Sequence, residues 1–123
     1  MAEVHRTYYS TGELLSEVFV INGKKNGEYK RYRKNGLLLY MFSYTNDKMH
    51  GAYKSYYENG QLERICSYID DKLNGEEISY HENGQISYSL IYIDGKRNGV
   101  FKIYNMNGEL IEQSIWKNGV KIE

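Results

Sequence analysis

Apolar, aromatic and glycine positions recur along this chain with a fixed period of 24 residues, and no insertion separates one copy from the next. The turn glycines of the period are Gly36, Gly60, Gly84 and Gly108. The large side chains that keep the same spacing are Tyr32, Tyr56, Tyr80 and Tyr104, then Leu38, Leu62 and Ile86, and then Tyr44, Tyr68 and Tyr92. Strand formers and glycines that recur in phase are typical of repeat architectures, in which each unit packs on its neighbours. We therefore expect one domain of five copies, at about residues 3–26, 27–50, 51–74, 75–98 and 99–122.

Each copy contains two strand-like segments joined by a short turn. In the second copy, residues 28–33 and 38–45 are rich in aromatic and other strand-compatible residues, and Lys34-Asn35-Gly36 lies between them. No window of the chain has the apolar period of a helix. The pattern predicts an all-β fold, a single-sheet antiparallel meander of repeated β-hairpins that forms an elongated solenoid with almost no helix.

Two registers are possible for this hairpin. A two-residue type I′ turn at Asn35-Gly36 would place Tyr32 on the face opposite Leu38 and Tyr44. A three-residue loop whose glycine forms a G1 bulge pairs Tyr32 with Leu38 instead. We favour the second register and expect Tyr32, Leu38, Phe42 and Tyr44 to share one face. Burying them together removes more apolar area from water, at about 25 cal/mol per Å².

The two ends of the array differ from its middle. Gln113 and Ser114 stand at the positions of Met41 and Phe42, and polar side chains of this kind protect a sheet edge against further strand addition. Near the other end, residues 18–21 form a continuous apolar run, Val-Phe-Val-Ile. The sequence leaves open whether neighbouring residues cover that run or whether it is exposed.

Charge and cysteine content exclude several functions. Lys and Arg together number 16, and so do Asp and Glu, so no net field attracts nucleic acid, and membrane binding is disfavoured. No apolar run is long enough to span a membrane, and we expect a soluble, cytoplasmic protein. Cys66 is the only cysteine, which suits a reducing compartment, and its position in the repeat is held by Phe42 and Leu90 in neighbouring copies. We therefore interpret Cys66 as a small buried side chain and not as a nucleophile.

The residues that could carry chemistry do not converge. His5, His50 and His81 lie at three different positions of the repeat, which does not suggest a metal site. Asp70-Asp71 is followed directly by Lys72 and lacks the alternating oxygen ligands of a calcium loop, so we interpret these aspartates as turn residues. We expect no catalytic residue, no metal and no cofactor.

The 14 tyrosines are the strongest candidates for binding. In the favoured register, Tyr29, Tyr53 and Tyr57 point to the face opposite Tyr32, and Arg33 lies alongside them. Aromatic side chains interleaved with arginine are typical of protein-binding surfaces, although the same rings could simply cover the second face of a thin sheet. We select Tyr29, Arg33, Tyr53 and Tyr57 as protein-binding candidates. We expect the packed core on the face of Tyr32, so that removing Tyr56 would open it.

The repeat resembles a known family. Residues 56–62, Tyr-Tyr-Glu-Asn-Gly-Gln-Leu, followed by residues 68–75, are similar to the MORN-repeat variant found in bacterial YwqK-family antitoxins and in some large viruses. The residues that carry this resemblance, with their equivalents in other copies, are Tyr32, Asn35, Gly36, Leu38, Tyr44, Lys48 and Gly51. The eukaryotic MORN pattern also places a tryptophan in each repeat, whereas this chain has only Trp116. The resemblance implies an all-β rod that serves as a binding or scaffolding surface.

Three functions can be weighed on this basis. The first is a noncatalytic protein-protein interaction or scaffold module, including an antitoxin or immunity-type binder of a protein partner. The second is an adaptor for a membrane surface or lipid headgroup, which would require a basic stripe. The third is an enzyme, which would require a convergent polar constellation that turn residues in a regular array do not supply. We favour the first.

Overall fold

The computed structural model describes residues 1–123 and consists of one antiparallel β-sheet without helices. Its strands are β1 (Ala2–Tyr8), β2 (Leu14–Ile21), β3 (Lys24–Tyr32), β4 (Leu38–Thr45), β5 (Lys48–Tyr56), β6 (Leu62–Ile69), β7 (Lys72–Leu73), β8 (Gly75–Tyr80), β9 (Ile86–Ile93), β10 (Lys96–Arg97), β11 (Gly99–Tyr104), β12 (Leu110–Lys117) and β13 (Val120–Lys121). The strands follow one another across the sheet in the order β1-β2-β3-β4-β5-β6-β8-β9-β11-β12-β13. The short strands β7 and β10 pair with β6 and β9, respectively. The predicted all-β meander of hairpins is confirmed. No helix has the length and hydropathy needed to span a bilayer.

The glycine turns have the geometry that the sequence favours. Gly36 has a φ of 88° and donates its N–H to the carbonyl of Arg33 at 2.9 Å, while Arg33 donates to the carbonyl of Leu37 at 2.8 Å. This hydrogen bonding describes a three-residue loop with a G1 bulge, and Tyr32 pairs with Leu38 as expected. A positive φ of this kind is readily available to glycine, which has no Cβ.

The pairing of β3 with β4 shifts in register just beyond the pair of Tyr32 and Leu38. Arg31 pairs with Tyr40 while Tyr32 pairs with Leu38, so Leu39 is an extra residue that changes the alternation of β4. Phe42 therefore pairs with Tyr29 and lies on the face opposite Tyr32. The prediction that Phe42 and Tyr44 share a face with Tyr32 is wrong for this reason. The same shift follows the glycine turn in every copy.

The second type of connection ties each copy to the one before it. Asp70 and Asp71 have φ angles of 47° and 69°, which is the two-residue type I′ turn that suits a hairpin. Asp71 donates its N–H to the carbonyl of Met49 at 3.0 Å, and its Oδ1 accepts from the N–H of Met49 at 2.7 Å. The interpretation of these aspartates as turn residues is confirmed.

The core of this single-layer sheet lies on one face, which we call the packed face. All of the buried residues are on it, namely Ser16, Val18, Val20, Phe42, Ser55, Cys66, Glu77, Leu90 and Ser114. The apolar run at residues 18–21 alternates accordingly, since Val18 and Val20 are buried and Phe19 and Ile21 are exposed. The Tyr32 series lies on the opposite face and is only partly buried, apart from the more exposed Tyr8. The expectation that the Tyr32 face holds the core is therefore wrong.

Candidate protein-binding face

Aromatic rings from three strands stack on the packed face in the second and third copies. Tyr29, Phe42 and Tyr53 are aligned by strand register across β3, β4 and β5, and Tyr40 lies beside them. The ring centroids of Tyr29 and Phe42 are 5.0 Å apart, and those of Tyr40 and Tyr53 are 5.9 Å apart, with nearly parallel planes. Cross-strand aromatic pairs of this kind stabilise a sheet beyond their buried area. We call these four residues the aromatic stack.

The aromatic stack presents the hydroxyl groups of its tyrosines to a binding partner and not the flat faces of its rings. The rings cover each other's faces, and Tyr29, Tyr40 and Tyr53 are half-buried, so their edges remain in contact with water. Burial raises the pKa of Tyr40 and Tyr53 above the ordinary value for tyrosine. These hydroxyls therefore stay protonated at neutral pH and can donate hydrogen bonds.

A polar network occupies the packed face in the third and fourth copies. Glu77 is 4% exposed, and it stands where the second and third copies have Tyr29 and Tyr53. Its Oε1 accepts from Nη2 of Arg64 at 3.2 Å, and its Oε2 accepts from the hydroxyl of Tyr88 at 2.6 Å. The guanidinium carbon of Arg64 also lies 5.1 Å from the centre of the Tyr53 ring. We call Arg64, Cys66, Glu77 and Tyr88 the polar network, and it adjoins the aromatic stack.

The protonation states of the network are set by burial and by Glu77. Burial, followed by the hydrogen bond to Glu77, raises the pKa of Tyr88. Burial is the largest single influence on the pKa of Arg64 and acts to lower it, but Glu77 together with Cys66 and Tyr88 outweighs burial, so the pKa is raised. Burial also raises the pKa of the Cys66 thiol, which is 2% exposed, as expected for a small buried side chain. A protonated, buried thiol is a poor nucleophile.

Side chains at the start of each glycine turn fasten one copy to the next. The hydroxyl of Tyr57 donates to the carbonyl of Tyr80 at 2.5 Å, and Nη2 of Arg33 donates to the carbonyl of Tyr56 at 3.0 Å. The same contact joins Tyr9 to the carbonyl of Tyr32 and His81 to the carbonyl of Tyr104. Each contact links a side chain of one copy to a backbone acceptor of the next copy.

The four binding candidates fall into two groups. Tyr29 and Tyr53 lie on the face opposite Tyr32, as predicted, and both belong to the aromatic stack. Arg33 and Tyr57 lie at the glycine-turn edge, one copy apart, with their polar ends hydrogen-bonded inside the sheet. The structure thus brings Tyr29 and Tyr53 together through Phe42 and gives Arg33 and Tyr57 a structural contact.

Sequence reasoning did not identify the polar network. A signal was present, because Glu77 is a charged residue at a position held by Tyr29, Tyr53 and Phe101 in other copies. Arg64 likewise replaces an aromatic residue, since Tyr40 and Tyr88 hold its position. A charge at an otherwise aromatic position predicts a partner nearby, since an isolated buried charge is costly. The identity of that partner depends on strand register.

Two solved structures show a low overall similarity to this chain. No curated protein sequence matches the chain significantly. A crystal structure of accessory secretory protein 1, 2 and 3 in Streptococcus pneumoniae is 13% identical, with a TM-score of 0.47 over 81% of this chain and 18% of that one. A crystal structure of TarM is also 13% identical, with a TM-score of 0.46 over 85% of this chain and 20% of that one. This chain therefore spans a fifth or less of the length of those chains.

The family described as MORN repeat variant matches residues 49–70 and 73–94. These segments contain the hairpins from β5 to β9 and hold the whole of the polar network. The resemblance to the MORN-repeat variant is confirmed for this part of the chain. The third and fourth copies are therefore similar to MORN repeats of the variant type.

Proposed function

We propose that this chain is a noncatalytic protein-interaction module that binds its partner through the aromatic stack. The observation that carries the proposal is the stack itself, four rings held side by side on a face that no second layer of structure covers. Tyrosine and arginine are enriched at protein interfaces because they combine large apolar area with hydrogen-bonding ends. The sheet supplies these side chains on a backbone fixed by turns at both edges.

The hydrogen bonding of the polar network favours a noncatalytic role. Both oxygens of Glu77 accept a hydrogen bond from another side chain, from Arg64 and from Tyr88. A general base needs a lone pair that can reach the substrate proton, and this carboxylate has its oxygens engaged inside the sheet. The network is best explained as part of the sheet's packing.

The distribution of lysine favours a protein over a lipid surface. Lys24, Lys48, Lys72 and Lys96 form a row at the edge with the two-residue turns. Acidic turn residues interrupt the row, since Asp47 and Asp71 directly precede Lys48 and Lys72, and Asp94 lies two residues before Lys96. Binding to an anionic membrane relies on clustered positive charge, which mixed charge of this kind weakens.

The resemblance to antitoxin-type proteins suggests a narrower version of the proposal. In that version the partner is a toxin or effector that the module neutralises by covering its surface. The encounter would take place in the cytoplasm, where a free buried thiol such as Cys66 is stable.

Affinity capture from an extract of the native host tests the proposal. We expect a protein that the wild type retains to be lost with Tyr40→Ala, which removes a half-buried ring from the stack. The matched control is Tyr80→Ala, which removes a half-buried ring from the opposite face. Circular dichroism melting must show that both variants fold. The proposal fails if no protein is retained specifically, or if Tyr40→Ala and Tyr80→Ala retain it equally.

A further inference from the structure

The packed face of β3 to β5 carries positive charge without any acidic side chain. Arg31 lies on it between Tyr29 and Tyr40, and it takes part in none of the ion pairs of the structure. Lys25 lies on the same face, with its Nζ 5.1 Å from the centre of the Tyr44 ring. The other residues that these strands place there are uncharged, with Met49 and Ser55 among them. Glu28, the nearest acidic residue of β3, alternates onto the opposite face.

Three hydrogen-bond donors meet at this point. The Arg31 residue is half-buried beside Tyr29 and Tyr40, and the Tyr29 side chain is the main cause that raises the pKa of Arg31. Arginine offers a planar fork of N–H groups that matches a carboxylate, and a phenol hydroxyl can donate one more hydrogen bond. We call Tyr29, Arg31 and Tyr40 the donor patch.

The chain contains an internal example of the contact that such a patch can make. In the polar network the carboxylate of Glu77 lies between a guanidinium and a phenol, at 3.2 Å from Arg64 and 2.6 Å from Tyr88. The donor patch presents the same two groups on the same face, but the position of Glu77 is held there by Tyr29 or Tyr53. Glu77 therefore supplies a carboxylate to Arg64 from within the chain, whereas no acidic side chain of the chain forms an ion pair with Arg31.

We infer that the donor patch binds carboxylate side chains of an extended acidic segment in a partner protein. This inference rests on the proposed function and specifies the chemistry of the partner. Aspartate and glutamate complement a face on which β3 to β5 place two cationic groups, Arg31 and Lys25, and no acidic side chain. An extended segment fits because the sheet surface offers no cavity to fill.

Single-stranded nucleic acid fits this surface less well. Proteins that bind it use exposed aromatic faces on which bases stack. Here the faces of Tyr29, Tyr40 and Phe42 are stacked against each other, with centroids between 5.0 and 6.2 Å apart, so bases would find only ring edges. The balance of 16 basic and 16 acidic residues gives no general attraction for phosphate.

Fluorescence anisotropy with labelled synthetic peptides tests the inference on the full chain. The probes are a twelve-residue peptide of Glu and Leu, its counterpart with Lys in place of Glu, and polyuridylate of similar length. We expect the Glu peptide to bind about tenfold more tightly than the Lys peptide, and to weaken as salt is raised. Arg31→Gln should reduce its affinity about tenfold, and Arg31→Lys should restore part of the loss because the charge returns without the fork.

The matched control is Lys30→Gln, which removes a positive charge from the neighbouring position on the opposite face. Its affinity for the Glu peptide should equal that of the wild type, and melting temperatures should show that all variants are folded. The inference is overturned if the Glu and Lys peptides bind equally, if Lys30→Gln weakens binding as much as Arg31→Gln, or if polyuridylate binds more tightly than the Glu peptide. A captured partner that no longer binds Tyr40→Ala but binds Arg31→Gln normally would overturn the inference that its bound segment is acidic. The proposed function would stand in that case.

Discussion

The aromatic stack and the polar network occupy equivalent positions of the repeat on one face of one sheet, yet their chemistry is different. Phe42 in the stack corresponds to Cys66 in the network, and Tyr53 corresponds to Glu77. Both pairs of positions are packed by the same register shift after the same glycine turn. The stack is held by ring contacts, whereas the network is held by an ion pair and hydrogen bonds.

The difference shows that the backbone of this repeat does not depend on the side chains of its packed face. Turns at both edges fix the strands, so a buried position accepts a ring or a paired charge. The aromatic stack and the polar network therefore present different chemical groups at the surface of the sheet. In the network the carboxylate of Glu77 is bound by Arg64 and Tyr88, while in the stack Arg31 has no ion-pair partner within the chain.

The largest expected effect on stability comes from replacing the buried side chain at one repeat position by alanine, Phe42 in the aromatic stack and Cys66 in the polar network. Phe42→Ala should lower the free energy of unfolding by about 3 kcal/mol, because it removes a buried ring from the middle of the stack. Cys66→Ala should lower it by only about 1 kcal/mol, since a smaller group leaves a smaller space. Urea denaturation of both variants measures the difference. Equal losses would show that ring stacking adds nothing to stability.

Removing the carboxylate of the network should have the next largest effect. Glu77→Ala should destabilise by about 2 kcal/mol, below the usual range for buried pairs because the Arg64 side chain is 31% exposed and can reach water. Replacing both residues by tyrosine, Arg64→Tyr with Glu77→Tyr, restores the pattern of the stack. We expect that double variant to be as stable as the wild type, as found for ion pairs replaced by well-packed residues. A double variant less stable than Glu77→Ala would contradict the equivalence of the two regions.

The glycine turns should respond identically in the two regions. Gly36→Val and Gly60→Val should each destabilise by more than about 1 kcal/mol, because a β-branched residue is strained in the left-handed conformation. The φ angles are 88° and 86°, and no atom lies within 4 Å of where a Cβ would stand, so strain is the only cost. Gly60→Asn, which tolerates this conformation, is the control. Unequal effects of the two valine substitutions would show that side chains of the packed face influence the turn.

The smallest expected effect is on the pH dependence of stability, and it arises from the hydrogen bond between Tyr88 and Glu77 in the polar network. The pKa of Tyr88 in the folded state lies above the ordinary value of 10.0, first because of burial and then because of Glu77. Its contribution to stability is therefore complete below about pH 10 and declines as the pH rises above that value. Tyr88→Phe should make the decline above pH 10 shallower. Urea denaturation midpoints should be measured for the wild type and for Tyr88→Phe across this pH range. An equal decline of the midpoint with pH in the two proteins would contradict the expectation.

The features that the sequence determined are local ones. The 24-residue period established the number of copies expected, and Gly36 with its neighbours established the turn and the pairing of Tyr32 with Leu38. The placement of Tyr29 and Tyr53 opposite Tyr32 could also be predicted, because alternation along a strand is a property of the strand itself. These features repeat, so each copy gives independent support for them.

Only the tertiary structure decided which face is packed and which charges meet. A single extra residue, Leu39, reverses the alternation of β4 and moves Phe42 to the face of Tyr29, and the period of the sequence is unchanged by it. Glu77 is separated from Arg64 by 13 residues and from Tyr88 by 11, on strands either side of its own. Contacts between strands depend on register across the sheet, so the spacing of residues along one chain could not reveal that a buried carboxylate would find both a guanidinium and a phenol.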